Sequence, residues 1–521
     1  MSFRRTAFTP AVLLALCIEL PLLAQGLQRD TKPSETGAVP PKTWVDKDTG
    51  HRVWRVSDEP NSGAFYFNVN AYTPDGKQMV YNSPSGIMVL DLATMKSKLL
   101  VPNPPRPAAA DAAAGGQARG FGGRGFGGPR AIVAGYRTNS VFYTQTDPTT
   151  RTSAVYKADT NTGAITKLIE LPGRLSISTI NADETLAAGT YNAAEVPGDD
   201  PNAPNAFVTP AGGFGQGGGR GGARPPAAAN SNAANPRLGG ANVQSNDKGQ
   251  MMIRRLAEHV PVVLFTIRLV PGPGGEKAGT IKPLLHTTDW IDHEQFSPTD
   301  PQLLLYAHEG MWQDVDRVWL IHTDGTGNML VHKRSMRMEI AGHEFWGGHD
   351  DTLWYDWQYP KGEDFFLASY NVRTGERLAY HMQRNEWSIH FNVNRDQTLF
   401  CGDGGDSGQV AQAPDGEWIE LFHPQMIAAD ALSKNEPSFF QPGVFHAEHL
   451  VNMAHQDYHA EPNPRFSPDS KYVFFTSNMF GRGYVFAVEV AKATDTHDAV
   501  STPELATKYN PVMPTPTTTE K

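Results

Sequence analysis

The sequence predicts an all-β chain, a seven-bladed β-propeller carrying long Gly/Ala/Pro-rich loop insertions. The first observation is a recurring turn word: AYTPDGKQMVY (71–81), NADETLAAG (181–189), FSPTDPQLLLY (296–306), FNVNRDQTLFCGDGG (391–405) and FSPDSKYVFFTS (466–477). Each joins a Pro/Asp/Asn/Gly turn to an apolar or alternating run, which is a hairpin signal. Degenerate copies, YRTNSVFYTQTD (136–147) and FWGGHDDTLWYDWQ (345–358), bring the units to seven. The second observation is a following word for an outer strand and its turn: VLDLATMKS (89–97), VYKADTNTG (155–163), VWLIHTDGTG (318–327) and LASYNVRTGE (367–376). Where no insertion intervenes the spacing is close to 50 residues, as four-stranded blades require. The alternative is a β-sandwich with irregular turns; the regular two-word repeat favours the propeller.

Composition fits that reading. The 521 residues exceed an average domain, yet large all-β folds often form one unit. A hydrophobic share of 39% against 19% charged supplies a core, and the aromatic content favours strands. The net charge of −10 argues against nucleic-acid partners. It also repels anionic ligands at long range, so a site for one would need a local cation.

At the N-terminus, residues 1–24 read as a signal peptide. Arg4 and Arg5 precede an apolar run, Ala11 to Ala24, too short to span a bilayer and ending in a Leu-Leu-Ala cleavage site. The expectation is export to the periplasm or beyond, with no membrane span in the mature chain. Once the signal is removed Cys401 is the sole cysteine, so no intrachain disulfide can form. Residues 40–500 form the propeller domain. It is interrupted by insertions at 103–130, 196–250 and 406–455, the first two rich in strings such as GFGQGGGRGGARP. Such segments cannot bury enough surface to fold alone and are expected as loops. Their glycines lack the strand–loop–helix context of a phosphate loop. The tail, 501–521, is expected to be disordered.

The chemistry concentrates in three places: His343 in EIAGHEFW (339–346), His390 in EWSIHFNV (386–393), and the segment HQDYHAEPN (455–463). Together they offer a general base and oxygen or nitrogen ligands for a divalent metal. Other signatures are missing: there is no G-x-S-x-G, no His-Glu-x-x-His, and GDSGQ (405–409) has no protease histidine motif before it.

These long words, with HAEPNPRFSPDSKYVFFTSNMFG (459–481), resemble the oligogalacturonate lyase family, seven-bladed propeller enzymes that cleave pectin fragments by β-elimination. The resemblance spans roughly 280–490, with 45–190 sharing only the blade pattern. It implies that short oligogalacturonides are the substrate and that His343 is the catalytic base. It further implies that Arg317, in DVDRVWLI, neutralises substrate charge and that His390 is a metal ligand. The family pattern Gln-x-x-His-x-His is matched by Gln456, His459 and Glu461, with Glu461 in place of the last histidine. Counting back from the FSPD turn instead selects Tyr458, Glu461 and Asn463. A carboxylate makes the site harder and favours Mn²⁺ or Ca²⁺, with Mn²⁺ the first choice. His293 in DHEQFSPTD, His308-Glu309 in YAHEGMW and Asn463 are implied substrate contacts, and His455 and Trp312 weaker ones. LWYDWQ, with Trp354, Asp356 and Trp357, reads as blade core. Two rivals stay open: a lyase on another uronate-containing glycan, and a non-catalytic TolB-like propeller module of the cell envelope.

Overall fold

A computed structural model describes residues 39–104, 128–147, 149–172, 175–193, 247–405, 417–436, 438–458 and 460–509. The signal-peptide reading of 1–24 and most of the first two insertions lie outside these residues. The described chain is all-β apart from two helices and short 3-10 turns. No described helix is long and apolar enough to cross a membrane.

The strands form antiparallel meanders. Three sheets are plain four-stranded meanders, beginning at Arg130–Ala134, Ser176–Ile180 and Trp290–Phe296, and a fourth has three strands, from Gln78–Ser83. An eight-stranded sheet is two such meanders, starting at Ile340–Trp346 and Phe391–Val393, joined by a parallel pairing of Arg377–His381 with Gln441–Asn452. The last sheet starts at Arg465–Phe466. It is completed by the beginning of the chain: His51–Arg55 pairs antiparallel with Tyr484–Lys492, and Thr43–Asp46 continues the sheet.

One backbone hydrogen bond repeats in all these units. It closes the turn after each inner strand: Thr73 to Gln78, Gly135 to Ser140, Asn181 to Leu186, Ser297 to Leu303, Gly347 to Thr352, Asn394 to Leu399 and Ser467 to Tyr472, at 2.8–3.1 Å. These are the turn words of the sequence, including both degenerate copies. The apolar residues that follow them face neighbouring sheets. Phe142, Val155, Ile177, Tyr191 and Phe265, for example, form one cluster between two meanders. Each such fully buried side chain contributes about 1.5–3 kcal/mol relative to exposure.

Three expectations need correction. Residues 406–455 are not a loop insertion: Trp418–Met426 and Gln441–Asn452 are long paired strands, and only 406–416 and 437 fall outside the described residues. Their alternation is polar on the outer face, which hid them from a search for apolar runs. The 196–250 segment ends in a helix, Asp247–Glu258, inside a connection between two strands that pair over their full length. The tail is not wholly disordered: Thr502–Tyr509 is a helix, with Thr502 and Ala506 buried. It is held because Trp44 Nε1 donates to Thr502 Oγ1 at 2.9 Å, and that hydroxyl donates to Asp46 at 2.8 Å.

Candidate active site

His293, His343, His390 and Asn463 occupy one register. Each stands three residues before the residue that ends an inner strand, Phe296, Trp346, Val393 or Phe466. Two of these strands are bulged there. The pairing of Trp290–Phe296 slips between Asp292 and Gln295, and that of Ile340–Trp346 between Gly342 and Phe345. His293 and His343 sit inside those bulges with φ of 57° and 44°; Asn463 has φ of 52°. A non-glycine residue in the left-handed region costs roughly 1 kcal/mol or more. A bulge re-aims the side chain it carries, and here it turns both imidazoles to a common centre.

His343 is buried with its Nδ1 3.2 Å from Asp356 Oδ2. The ring stands edge-on to Trp312, with centroids 4.5 Å apart, and 4.9 Å from the His390 ring. Burial pushes the Asp356 carboxyl up to about 8, against the pull of Arg317. Gly342, just before His343, has no room for a side chain: a Cβ would lie 3.0 Å from Arg317 Nε and from a Trp312 ring carbon. Gly342→Ala is therefore expected to lower the thermal midpoint, at a cost of about 1–3 kcal/mol as for overpacked cores. It should also lower turnover, because both displaced neighbours touch the site; calorimetry and a rate assay check this.

His390 makes a second corner. Its Nδ1 lies 2.5 Å from Asp403 Oδ2, and the other Asp403 oxygen accepts from the backbone N–H of Ile389 and His390 at 3.0 Å. With Nδ1 so fixed, Nε2 presents its lone pair. It faces the Tyr66 hydroxyl at 3.2 Å and Glu461 Oε2 at 3.8 Å. Burial, then the Glu461 charge, holds the Tyr66 phenol far above its ordinary range.

Arg317 lies in a buried charge cluster. Its Nη2 donates to Glu309 at 2.7 Å and its Nε is 3.5 Å from Glu344; the guanidinium covers Trp312 at 4.7 Å. His293 bridges the same two carboxylates, Nε2 to Glu309 at 3.5 Å and Nδ1 to Glu344 at 3.4 Å. Burial alone would lower His293, but Glu344 and Glu309 carry it up to about 9. Burial raises Glu344, but Arg317 and His293 bring it down to about 2. The Arg317 Nη1 has no hydrogen-bond partner among the described residues.

The structure thus gathers His343, His390, Arg317, His293 and Glu461, and adds Tyr66, whose ring lies 5.6 Å from His293 and 5.3 Å from His390. Three expected residues are used differently. His308 turns away, its Nε2 3.5 Å from Asp289, because adjacent strand residues face opposite sides and Glu309 takes the inward one. Gln456 is committed to its own loop: the amide donates to Ala460 O at 2.5 Å and accepts from Ser477 and Asn478. Asn463 is a backbone clamp, accepting from Phe67 N at 3.1 Å and donating to Glu461 O. His459 lies outside the described residues.

Sequence reasoning missed Asp356, Asp403, Glu344 and Tyr66. Glu344 was visible as the neighbour of His343. Asp356 and Asp403 pair with the histidines from the next strand or just beyond it, so only strand register could have found them. Tyr66 precedes the first turn word and carries no pattern of its own.

Among the described residues no group of three or more His, Cys, Asp or Glu side chains stands ready to hold a metal. The donor types nonetheless fit a hard divalent ion at one corner. His390 has its distal nitrogen anchored, and Glu461 faces the other nitrogen.

Antiparallel meanders whose inner strands carry buried histidines, with a buried arginine beside them, define a propeller-type fold with a polar centre. The comparisons with known proteins give that fold its particular relatives. Residues 268–494 match the family model described as oligogalacturonate lyase. The oligogalacturonide lyase of Pectobacterium atrosepticum is 28% identical over 213 residues, 41% of this chain and 53% of that one. The oligogalacturonate lyase of Dickeya dadantii is 27% identical over 225 residues, with the same coverage. The chain thus spans about half the length of the curated relatives it matches. In structure it superposes on an oligogalacturonate lyase solved in complex with manganese, with TM-score 0.56 and 19% identity over 86% of this chain and 96% of that one. The oligogalacturonate lyase of Vibrio parahaemolyticus gives TM-score 0.57 and 17% identity, covering 87% and 97%. The resemblance read from the sequence is borne out, as is an all-β fold of the oligogalacturonate lyase type.

Proposed function

We propose that this chain is an exported lyase, its seven meanders the blades of one propeller, that cleaves short α-1,4-linked galacturonides by β-elimination. The observation that carries the reading is the meeting of His343 with His390, Trp312 and Arg317, contributed by different meanders and loops, around one buried centre. A scaffold such as a TolB-like module has no use for a carboxylate-anchored imidazole beside a buried arginine.

In this mechanism Asp356 accepts from His343 Nδ1–H, which places the lone pair on Nε2. That nitrogen takes the proton from C5, α to the uronate carboxylate. The C–H electrons form the C4–C5 double bond, and the C4–O4 bond breaks with its pair on O4, which takes up a proton. The product is a 4,5-unsaturated uronate. Arg317, held by Glu309 and Glu344, contributes fixed positive charge beside the base. Trp312 walls one side of the imidazole. His390 and Glu461 would hold a divalent ion, Mn²⁺ before Ca²⁺, which when bound supplies Lewis-acid polarisation of the uronate carboxylate.

The test is the ultraviolet absorbance of unsaturated uronate on adding digalacturonate and trigalacturonate, with Mn²⁺ and with chelator. A rise that chelator abolishes is expected. Metal bound without any rise would redirect the activity to another uronate glycan, a second reading favoured by the commitment of Gln456 to its own loop. Neither signal would overturn the enzyme in favour of the scaffold.

A further inference from the structure

A second cavity lies away from this centre, at the turn ends of the inner strands. It has a volume of about 430 Å³, inside the usual range of small-molecule sites, roughly 300–1,000 Å³. Six of the seven repeated turns line it through the same position, the residue after the one whose N–H closes the turn: Pro74, Tyr136, Ala182, Pro298, Gly348 and Arg395. Arg137 and His349 stand one residue further on and also line it.

The charge pattern is one-sided. The turns are rich in aspartate, but those carboxylates are hydrogen-bonded within their own or a neighbouring turn. Asp75 accepts from Thr73 Oγ1 at 2.7 Å, Asp183 from Thr185 Oγ1 at 2.6 Å, Asp300 from Gln302 N at 2.9 Å and Asp396 from Thr398 Oγ1 at 2.6 Å. Glu184 likewise accepts from the N–H groups of Arg137 and Thr138 and pairs with Lys157. Among the described residues neither the Arg137 nor the Arg395 guanidinium has an ion pair with a carboxylate, although the chain carries a net charge of −10. Burial and the nearby Arg395 charge hold His349 below its ordinary range, so its ring is neutral and can donate or accept. Pro74, Pro298, Pro301 and Tyr136 add apolar groups to the lining.

We propose that this funnel is a second saccharide site, which takes an acidic sugar with carboxylates on Arg137 and Arg395 and its ring on the proline and tyrosine walls. Two guanidiniums on different turns suit two carboxylates better than one small anion, and guanidinium forks match carboxylate geometry. The site needs no catalytic group and stands whether or not the lyase reading holds. Its contacts are exposed, so binding should weaken as salt rises.

The experiment is equilibrium dialysis of digalacturonate against the full chain carrying His343→Ala, which prevents turnover. The comparison protein also carries Arg137→Ser and Arg395→Ser. The expected result is a loss of about one bound disaccharide per chain, or binding at that site roughly tenfold weaker or more, as expected when charge-assisted contacts go. The thermal midpoint should not change, and the double variant on the native background should keep full activity toward any substrate the native chain cleaves. Unchanged stoichiometry with unchanged affinity in the double variant overturns the proposal. So does equal competition by galactose, which shows that charge is not read. Equal competition by inorganic phosphate also overturns it, because the site would then be a general anion site.

Discussion

His343→Ala is expected to abolish galacturonide cleavage while leaving the fold intact. In the proposed mechanism the imidazole removes the proton, and its loss should cost roughly 10²–10⁴ in kcat, the usual contribution of a positioned base. Asp356→Asn separates positioning from mere presence. Asparagine preserves the shape but not the charge that fixes the Nδ1–H tautomer, so kcat should again fall by orders of magnitude. Two pH effects accompany it. Burial raises Asp356 to about 8, so the working, ionised dyad forms only as pH climbs through that region, and kcat/KM of the native chain should rise on the alkaline side. For stability the sign is opposite. A carboxyl raised in the folded state favours the fold below its unfolded value of 3.8, and this contribution is lost as pH rises through about 8. Asp356→Asn should therefore be relatively more stable than the native chain at pH 9 than at pH 5. Thermal melts at both pH values decide it; equal differences at the two would sink the assignment.

Arg317→Ala is expected to destabilise the protein severely, by about 3–5 kcal/mol, the cost of stranding buried charge. Glu309 and Glu344 are both buried and would keep only His293 between them. The native cluster also sets a pH window. Glu344 is depressed to about 2, so its contribution is present above the ordinary carboxylate range and fades as pH falls toward 2. His293 is raised to about 9, so its contribution is complete below 6.5 and is lost as pH rises through 9. Arg317→Lys keeps the charge but not the fork that reaches two carboxylates at once. It should fold, with a lower midpoint, and show a fall in kcat/KM that its stability does not explain. Native kinetics in Arg317→Lys would confine Arg317 to a structural role.

Much of this was legible in the sequence, for physical reasons. The turn words were readable because a hairpin needs particular residues at its bend, and the same seven bends reappear closed by one hydrogen bond. His343, His390 and His293 stood out because they fall at one phase of that repeat, which strand geometry converts into convergence. What stayed hidden depends on pairing across strands. His308 and Glu309 are neighbours in the chain, and only the facing of the strand says that the glutamate points inward. Asp356 was read as core, and it is buried, but its partner lies on the adjacent strand. Gln456 fitted a spacing, yet local hydrogen bonds from Ser477 and Asn478 claim its amide first. The strands Trp418–Met426 and Gln441–Asn452 were passed over because they are half polar.

The joining of His51–Arg55 to Tyr484–Lys492 bears on how the protein is made. During synthesis the hairpin of Thr43–Asp46 and His51–Arg55 has no further sheet partner until Tyr484–Lys492 has followed. Contacts across such a separation are slow to form. The sheet that seals the molecule is thus a checkpoint on completeness: a chain truncated before Tyr484 leaves Thr43–Asp46 and His51–Arg55 as open edges, prone to pairing with other copies. Joining the two ends and opening the chain at an exposed turn elsewhere would remove that wait without altering any residue around His343.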